Sequence, residues 1–168
     1  LNVIQGARIA RAGRIIAIDR NPASLARARH FGATDCVEAA DPDALANEVR
    51  ALTGGRGADH GFEATGRAEL AFLPLKLVRN GGNAVQVSGA HGSVPATMPD
   101  FFWAKRYITA LYGDCLPARD FPRLFEWVRQ GRINLADLVG GEYPLEELGS
   151  AIADLEAGRV AKAVLRLA

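Results

Sequence analysis

Along this chain the spacing of apolar residues switches between a three-to-four-residue period and short unbroken runs. From Asn2 to Ala12, Val3, Ile4, Ala7 and Ala10 fall on one helical face and Gly13 closes the stretch, which predicts a helix packing one side on a sheet. Arg14-Ile15-Ile16-Ala17-Ile18, ending in Asp19, is a continuous apolar run of the kind that forms parallel strands covered on both faces. Asn21-Pro22 then supplies a capping side chain followed by proline at the first helical position. Leu25, Ala28 and Phe31 make the apolar stripe of that helix, and Gly32 ends it.

The unit repeats. Asp35-Cys36-Val37 reads as a short strand, Asp41-Pro42 as a second cap-plus-proline start, and Leu45, Val49 and Leu52 as the stripe of a helix that stops at Gly54-Gly55-Arg56-Gly57. A strand around Gly61-Phe62-Glu63-Ala64, a helix from Ala68 to Val78, a turn at Asn80-Gly81-Gly82, a strand from Asn83 to Val87 and a last strand from Arg106 to Leu111 continue the series. Each cycle has the length of a right-handed crossover, so the pattern predicts an α/β fold with a doubly wound, Rossmann-type parallel sheet. Beyond Gly113 the rhythm changes. A helix from Asp120 to Gln130, a connector through Gly140-Gly141, a helix from Glu146 to Ala157 and a closing strand from Lys162 to Leu167 need not join that sheet.

Composition narrows the class of partner. Of 168 residues 49% are hydrophobic, enough for one buried core or a domain with an excursion into a second. Twenty Lys and Arg against nineteen Asp and Glu, scattered without runs, leave no footprint for nucleic acid or an anionic membrane, so a small molecule is the expected partner. No stretch has the roughly 18 to 20 apolar residues of a membrane helix and the start has no signal-peptide pattern, which points to the cytoplasm. Cys36 and Cys115 lie far apart without a CxxC, and His30, His60 and His91 share no ligand spacing, so neither a disulfide framework nor a zinc site is expected. With Leu1 first and Met98 the one methionine, the sequence reads as an excerpt.

In a doubly wound sheet, ligands bind beyond the carboxyl ends of the strands. The informative residues are therefore Asp19, Thr65-Gly66-Arg67 and Ser88-Gly89-Ala90. A carboxylate at Asp19 can accept hydrogen bonds from both hydroxyls of an adenosine ribose and would repel a 2′-phosphate, which favours NAD over NADP; Arg20 beside it can stack on adenine or offset that repulsion. Equally, an acid can end a strand because the chain re-enters water there. The small residues at Thr65-Gly66 and Ser88-Gly89 suit close approach of a dinucleotide, and ordinary turns explain them as well. No nucleophile elbow, P-loop or pair of catalytic carboxylates is present.

The strings Leu1-Asn2-Val3-Ile4-Gln5-Gly6-Ala7, Gly13-Arg14-Ile15-Ile16-Ala17-Ile18-Asp19 and Gly32-Ala33-Thr34-Asp35 resemble the medium-chain, zinc-type alcohol dehydrogenases. The likeness continues through Glu63-Ala64-Thr65-Gly66, Val87-Ser88-Gly89, Asp120-Phe121-Pro122, Tyr143-Pro144-Leu145 and Gly158-Arg159-Val160. In that family a GLGGVG-type loop precedes the helix that Leu1 to Ala12 resembles, so Leu1 falls just after it. Asp19 then sits at the distance, about 20 residues beyond the glycines, where a Rossmann fold carries its ribose acid.

The resemblance implies NAD-dependent hydride transfer between an alcohol and its aldehyde, with a zinc ion as Lewis acid whose ligands lie upstream of Leu1. It puts Ala64, Thr65, Gly66 and Arg67 beside the adenosine half, and Val87, Ser88, Gly89, Ala90 and the stretch Ala110 to Tyr112 along the nicotinamide. Lys162 matches a basic position reaching the pyrophosphate, with an exposed strand lysine as the plain alternative. It divides the chain into a partial NAD-binding domain, residues 1–112, lacking its first strand, and a segment of the catalytic, GroES-like domain, residues 113–168. No catalytic or metal-binding residue is assigned here, and the piece alone is expected to be inactive and marginally stable. A homodimer or homotetramer is expected of the full-length protein. The alternatives are a zinc-independent quinone or enoyl reductase using NADPH, a methyltransferase using S-adenosylmethionine, and a non-catalytic dimerising fragment.

Overall fold

The structure is a computed structural model that describes residues 1–39 and 41–167, so Ala168, which ends the expected tail segment, lies outside the described residues. In chain order the regular elements are α1 (Asn2–Ile9), β1 (Ile16–Asp19), α2 (Pro22–His30), β2 (Asp35–Glu38), α3 (Pro42–Leu52), β3 (Ala58–Glu63), α4 (Leu73–Leu77), β4 (Val78–Gln86), β5 (Arg106–Thr109), α5 (Pro117–Arg129), β6 (Gly141–Pro144), α6 (Leu148–Glu156) and β7 (Ala163–Arg166). All strand pairs are parallel: β1 with β2, β3 with β4, β4 with β5, and β6 with β7. This is the α/β architecture the alternating periods predict. Among the described residues, however, β1 pairs only with β2 and β3 only with β4, so the strands form separate two-, three- and two-stranded sheets.

The chain forms two compact units, one made of Leu1–Glu38 with Pro117–Ala168 and the other of Ala39–Leu116. In the first unit the buried apolar residues are Ile15, Ala28, Phe31, Val37, Leu138 and Ala151. Polar contacts join its two chain segments. The fully buried Gln5 donates Nε2 to the Asn134 carbonyl at 3.1 Å and accepts the Asn134 N–H at 2.7 Å, while Arg8 reaches the Arg132 carbonyl at 2.8 Å. Arg27 likewise donates to the Gly158 carbonyl at 2.9 Å. The exchange satisfies Gln5, whose amide would otherwise cost free energy to bury.

The second unit buries Leu45, Ala46 and Val49 of α3 with Leu75 and Leu77 of α4 and Val78 and Ala84 of β4. The helix α4 lies so close to β3 that a Cβ on Gly61 would stand 3.1 Å from both Pro74 Cβ and Val78 Cγ1. Only glycine leaves that space.

Two stretches differ from the predicted pattern. The helix expected over Ala68 to Val78 is a single 3-10 turn, Ala68–Leu70, followed by α4, whose first turn takes Pro74, the position where proline lacks no needed N–H and clashes with no preceding carbonyl. The predicted turn at Asn80-Gly81-Gly82 lies inside β4 instead: Ala58 pairs with Val78 but His60 with Asn83, so the intervening residues bulge. In the tail, the Gly140-Gly141 connector leads into β6, a strand the pattern missed, which pairs with the predicted closing strand β7. No helix among the described residues is long and apolar enough to cross a membrane.

Candidate functional site

Apart from Lys162, the sequence-predicted residues fall at or just beyond the carboxyl ends of strands. In the first unit, Asp19 ends β1 and is exposed. Its Oδ1 accepts the Asn21 N–H at 2.8 Å, and Asn21 in turn caps α2 by accepting the Ala23 N–H at 2.9 Å, so the acid belongs to the turn that launches the helix. Its register partner at the end of β2 is Glu38, which places two carboxylates side by side on one sheet end. Sequence reasoning missed Glu38, because strand register is not written in a single strand. Arg20 is exposed beside Asp19. Lys162 is also exposed, just before β7, and its carbonyl accepts the Gly140 N–H at 2.9 Å.

In the second unit the structure brings two predicted turns together on one buried carboxylate that the sequence reading passed over. Glu63, the last residue of β3, is only 4% exposed. Its Oε1 accepts the Thr65 backbone N–H at 2.6 Å and the Thr65 hydroxyl at 2.5 Å. Its Oε2 accepts the Gln86 amide at 2.8 Å and the Ser88 hydroxyl. Burial pushes this carboxyl up, but the hydrogen bonds from Ser88, Thr65 and Gln86 outweigh it and hold the group below the usual glutamate value. Gln86 ties in a third strand by accepting the Tyr107 hydroxyl at 3.0 Å. Burial, and then the Glu63 charge, raise the Tyr107 phenol. A glutamate flanked by Phe62 and Ala64 offers no sequence signal of burial. The Ser and Thr two residues after each strand end are the only hint.

Gly66 adopts φ +77, and a Cβ there would find only the Gly89 carbonyl at 3.9 Å and Ser88 Cβ at 4.0 Å. The two turns therefore meet on a surface almost free of side chains, a fit for a flat ligand approaching backbone closely. Ala64 and Val87 are exposed, Ala90 is half-buried, and Arg67 is drawn aside into an ion pair with Glu69 at 2.5 Å. Ala110 follows β5. Tyr112, 89% exposed, begins three consecutive residues with positive φ, Tyr112, Gly113 and Asp114. Such backbone costs about 1 to 2 kcal/mol for a residue with a Cβ.

Among the described residues no three His, Cys, Asp or Glu side chains gather as metal ligands. Cys36 donates its thiol to the Leu25 carbonyl at 3.4 Å. A crease of about 340 Å³ in the second unit is lined by charged residues of α3, α4 and their neighbours, including Arg50, Lys76 and Lys105, and by none of the strand-end residues. The first unit's sheet end carries two acids, and the second unit's strand ends carry glycine-bearing turns tied to Glu63.

Known proteins resemble this chain over nearly its whole length. Residues 1–130 match the family model for zinc-binding dehydrogenases. The S-(hydroxymethyl)glutathione dehydrogenase of Synechocystis sp. is 32% identical over 168 residues, 98% of this chain and 46% of that protein. That of Haemophilus influenzae is 30% identical over 98% of this chain and 44% of its own length. A crystal structure of an alcohol dehydrogenase zinc-binding domain protein from Burkholderia ambifaria superposes with a TM-score of 0.86 at 30% identity, over 98% of this chain and 45% of that one. Benzyl alcohol dehydrogenase from Acinetobacter calcoaceticus, 23% identical, shares the fold with a TM-score of 0.87 over 98% of this chain and 46% of its own. The chain thus spans about half the length of the curated relatives it matches.

Proposed function

Because this chain belongs to the zinc-binding dehydrogenase family, we propose that it forms the NAD-binding part of an alcohol dehydrogenase, with Asp19 holding the adenosine ribose. The observation that carries this reading is the exposed Asp19 carboxylate at the end of β1, directly before the Asn21-capped start of α2. An acid there accepts both ribose hydroxyls and repels a 2′-phosphate, and the neighbouring Glu38 deepens that repulsion.

In this reading Arg20 covers the adenine and Ala64 to Arg67 flank the adenosine half. Val87, Ser88, Gly89 and Ala90, with Ala110 and Tyr112, run along the nicotinamide, and Lys162 reaches the pyrophosphate. The backbone of Gly66 and Gly89 lets the dinucleotide lie against the chain, while Glu63 fixes the two turns that do so. Bound NAD supplies the hydride acceptor and the chain's residues orient it. The described residues do not fit a zinc ion. Residues 1–112 are assigned to the nucleotide domain and 113–168 to the catalytic domain, within a cytoplasmic homodimer or homotetramer acting on a small alcohol or aldehyde.

The test is thermal unfolding of the intact protein with NAD⁺, NADP⁺ and S-adenosylmethionine. A ligand at 100 times its Kd adds about 2.7 kcal/mol of stability. NAD⁺ is expected to raise the midpoint and the others to leave it unchanged. Asp19→Ala should weaken NAD⁺ binding by about tenfold or more, from the loss of charge-assisted bonds of about 1.5 to 3 kcal/mol each. A response to NADP⁺ or S-adenosylmethionine alone contradicts the reading.

A further inference from the structure

Glu63 carries more charge than positioning two turns requires. Its four donors, the Thr65 N–H, the Thr65 and Ser88 hydroxyls and the Gln86 amide, are all neutral, and no cation pairs with it among the described residues. Arg67, the nearest cation in sequence, is committed to Glu69. Neutral donors hold the carboxyl ionised without cancelling its charge. One full negative charge is therefore buried at the end of β3, directly beneath Ser88, where low local polarisability carries its field further than in water.

The two redox forms of the cofactor differ in one respect that such a charge can sense: the oxidised nicotinamide ring is cationic and the reduced ring is neutral, while the rest of the molecule is the same. We propose that Glu63 discriminates between redox states, strengthening binding of NAD⁺ relative to NADH through the field of its buried carboxylate. This rests on the placing of Val87 to Ala90 along the nicotinamide under the proposed function. Glu63 need not touch the ring. It would act at a distance as a specificity determinant, biasing the protein toward the cofactor form that accepts hydride.

The ratio of the two dissociation constants, Kd for NADH over Kd for NAD⁺, tests this on the intact protein by titration calorimetry. A merely structural role changes both constants together and leaves the ratio fixed. Glu63→Gln keeps the size and removes the charge, and the ratio should fall several-fold, on the order of 3- to 10-fold for a unit charge at an intermediate effective dielectric. Gln86→Lys, which sets an ammonium against the carboxylate, should lower the ratio likewise, and it serves if Glu63→Gln does not fold. Glu63→Asp, which keeps the charge, should preserve the ratio. A ratio unchanged in Glu63→Gln or in Gln86→Lys, with both forms still bound, overturns the inference and leaves the cofactor reading intact. Failure of the wild-type protein to bind either form overturns that reading and this one with it.

Discussion

The Ser88 hydroxyl donates to Oε2 of Glu63 across twenty-five residues of sequence, joining the end of β4 to the end of β3. Because the acceptor is ionised and buried, Ser88→Ala should cost about 1.5 to 3 kcal/mol, the range for hydrogen bonds to charged groups. Urea unfolding of wild type and variant measures it. A loss within a few tenths of a kcal/mol of zero would mean that Gln86 satisfies Oε2 alone.

The same network sets an acid limit on stability. The folded Glu63 carboxyl lies below its ordinary value, which in the unfolded chain is about 4.3. Its contribution is therefore fully present above the unfolded value and disappears as pH falls through the folded one. Stability measured from pH 6 downward should decline below about pH 4 in the wild type. Glu63→Gln should be less stable at pH 6 and show a shallower decline; a slope identical to wild type would contradict the ionised network.

Asp137 provides a second titration, on the exposed surface. The hydrogen bond from His30, at 2.6 Å, and that from Asn134 hold its carboxyl below the usual aspartate value. In His30→Ala the Asp137 carboxyl should titrate closer to an ordinary aspartate, read by carbon NMR of the side-chain carboxyl. An unmoved midpoint would assign the depression to Asn134 alone.

Gly57 offers a steric test. It sits at φ +95, and a Cβ there would meet Arg79 N at 2.9 Å and the Leu77 carbonyl at 3.0 Å, both backbone atoms. Gly57→Ala combines left-handed strain with overpacking, so a loss of about 2 kcal/mol or more is expected in thermal unfolding. Gly54→Ala, at φ +63 with open space around it, should cost only the strain.

Asn21→Ala removes the side chain that accepts the Ala23 N–H at the start of α2. The expected loss is about 1 kcal/mol. Asp41→Ala, which frees the N–H groups of both Asp43 and Ala44 at the start of α3, should cost at least as much, and chemical denaturation of the two variants compares them.

These caps were legible in the sequence because they are local: Asn21-Pro22 and Asp41-Pro42 name a helix start within two residues, and both starts lie where predicted. The strand at Gly141–Pro144 was not. Only Tyr143 carries strand propensity there, and what makes it a strand is pairing with Ala163–Arg166, which no local pattern reports. Asn80-Gly81-Gly82 looked like a turn for a sound reason, since Gly81 does take φ +70, yet pairing with β3 on either side absorbs it as a bulge. Asp19 could be picked out by its place after an apolar run. Glu63 could not, because two of its four donors, from Gln86 and Ser88, come from another strand and the turn after it.

The first unit is closed by contacts between segments far apart in the sequence. Gln5, Arg8, Arg27 and His30 take their partners from residues 134, 132, 158 and 137, separations of more than a hundred positions. Ala39–Leu116 forms its unit from one continuous segment, whereas the other unit closes only when Leu1–Glu38 meets the segment beginning at Pro117. Bringing such distant segments together costs loop-closure entropy before any contact is made, so refolding of that unit is expected to lag behind that of the continuous one.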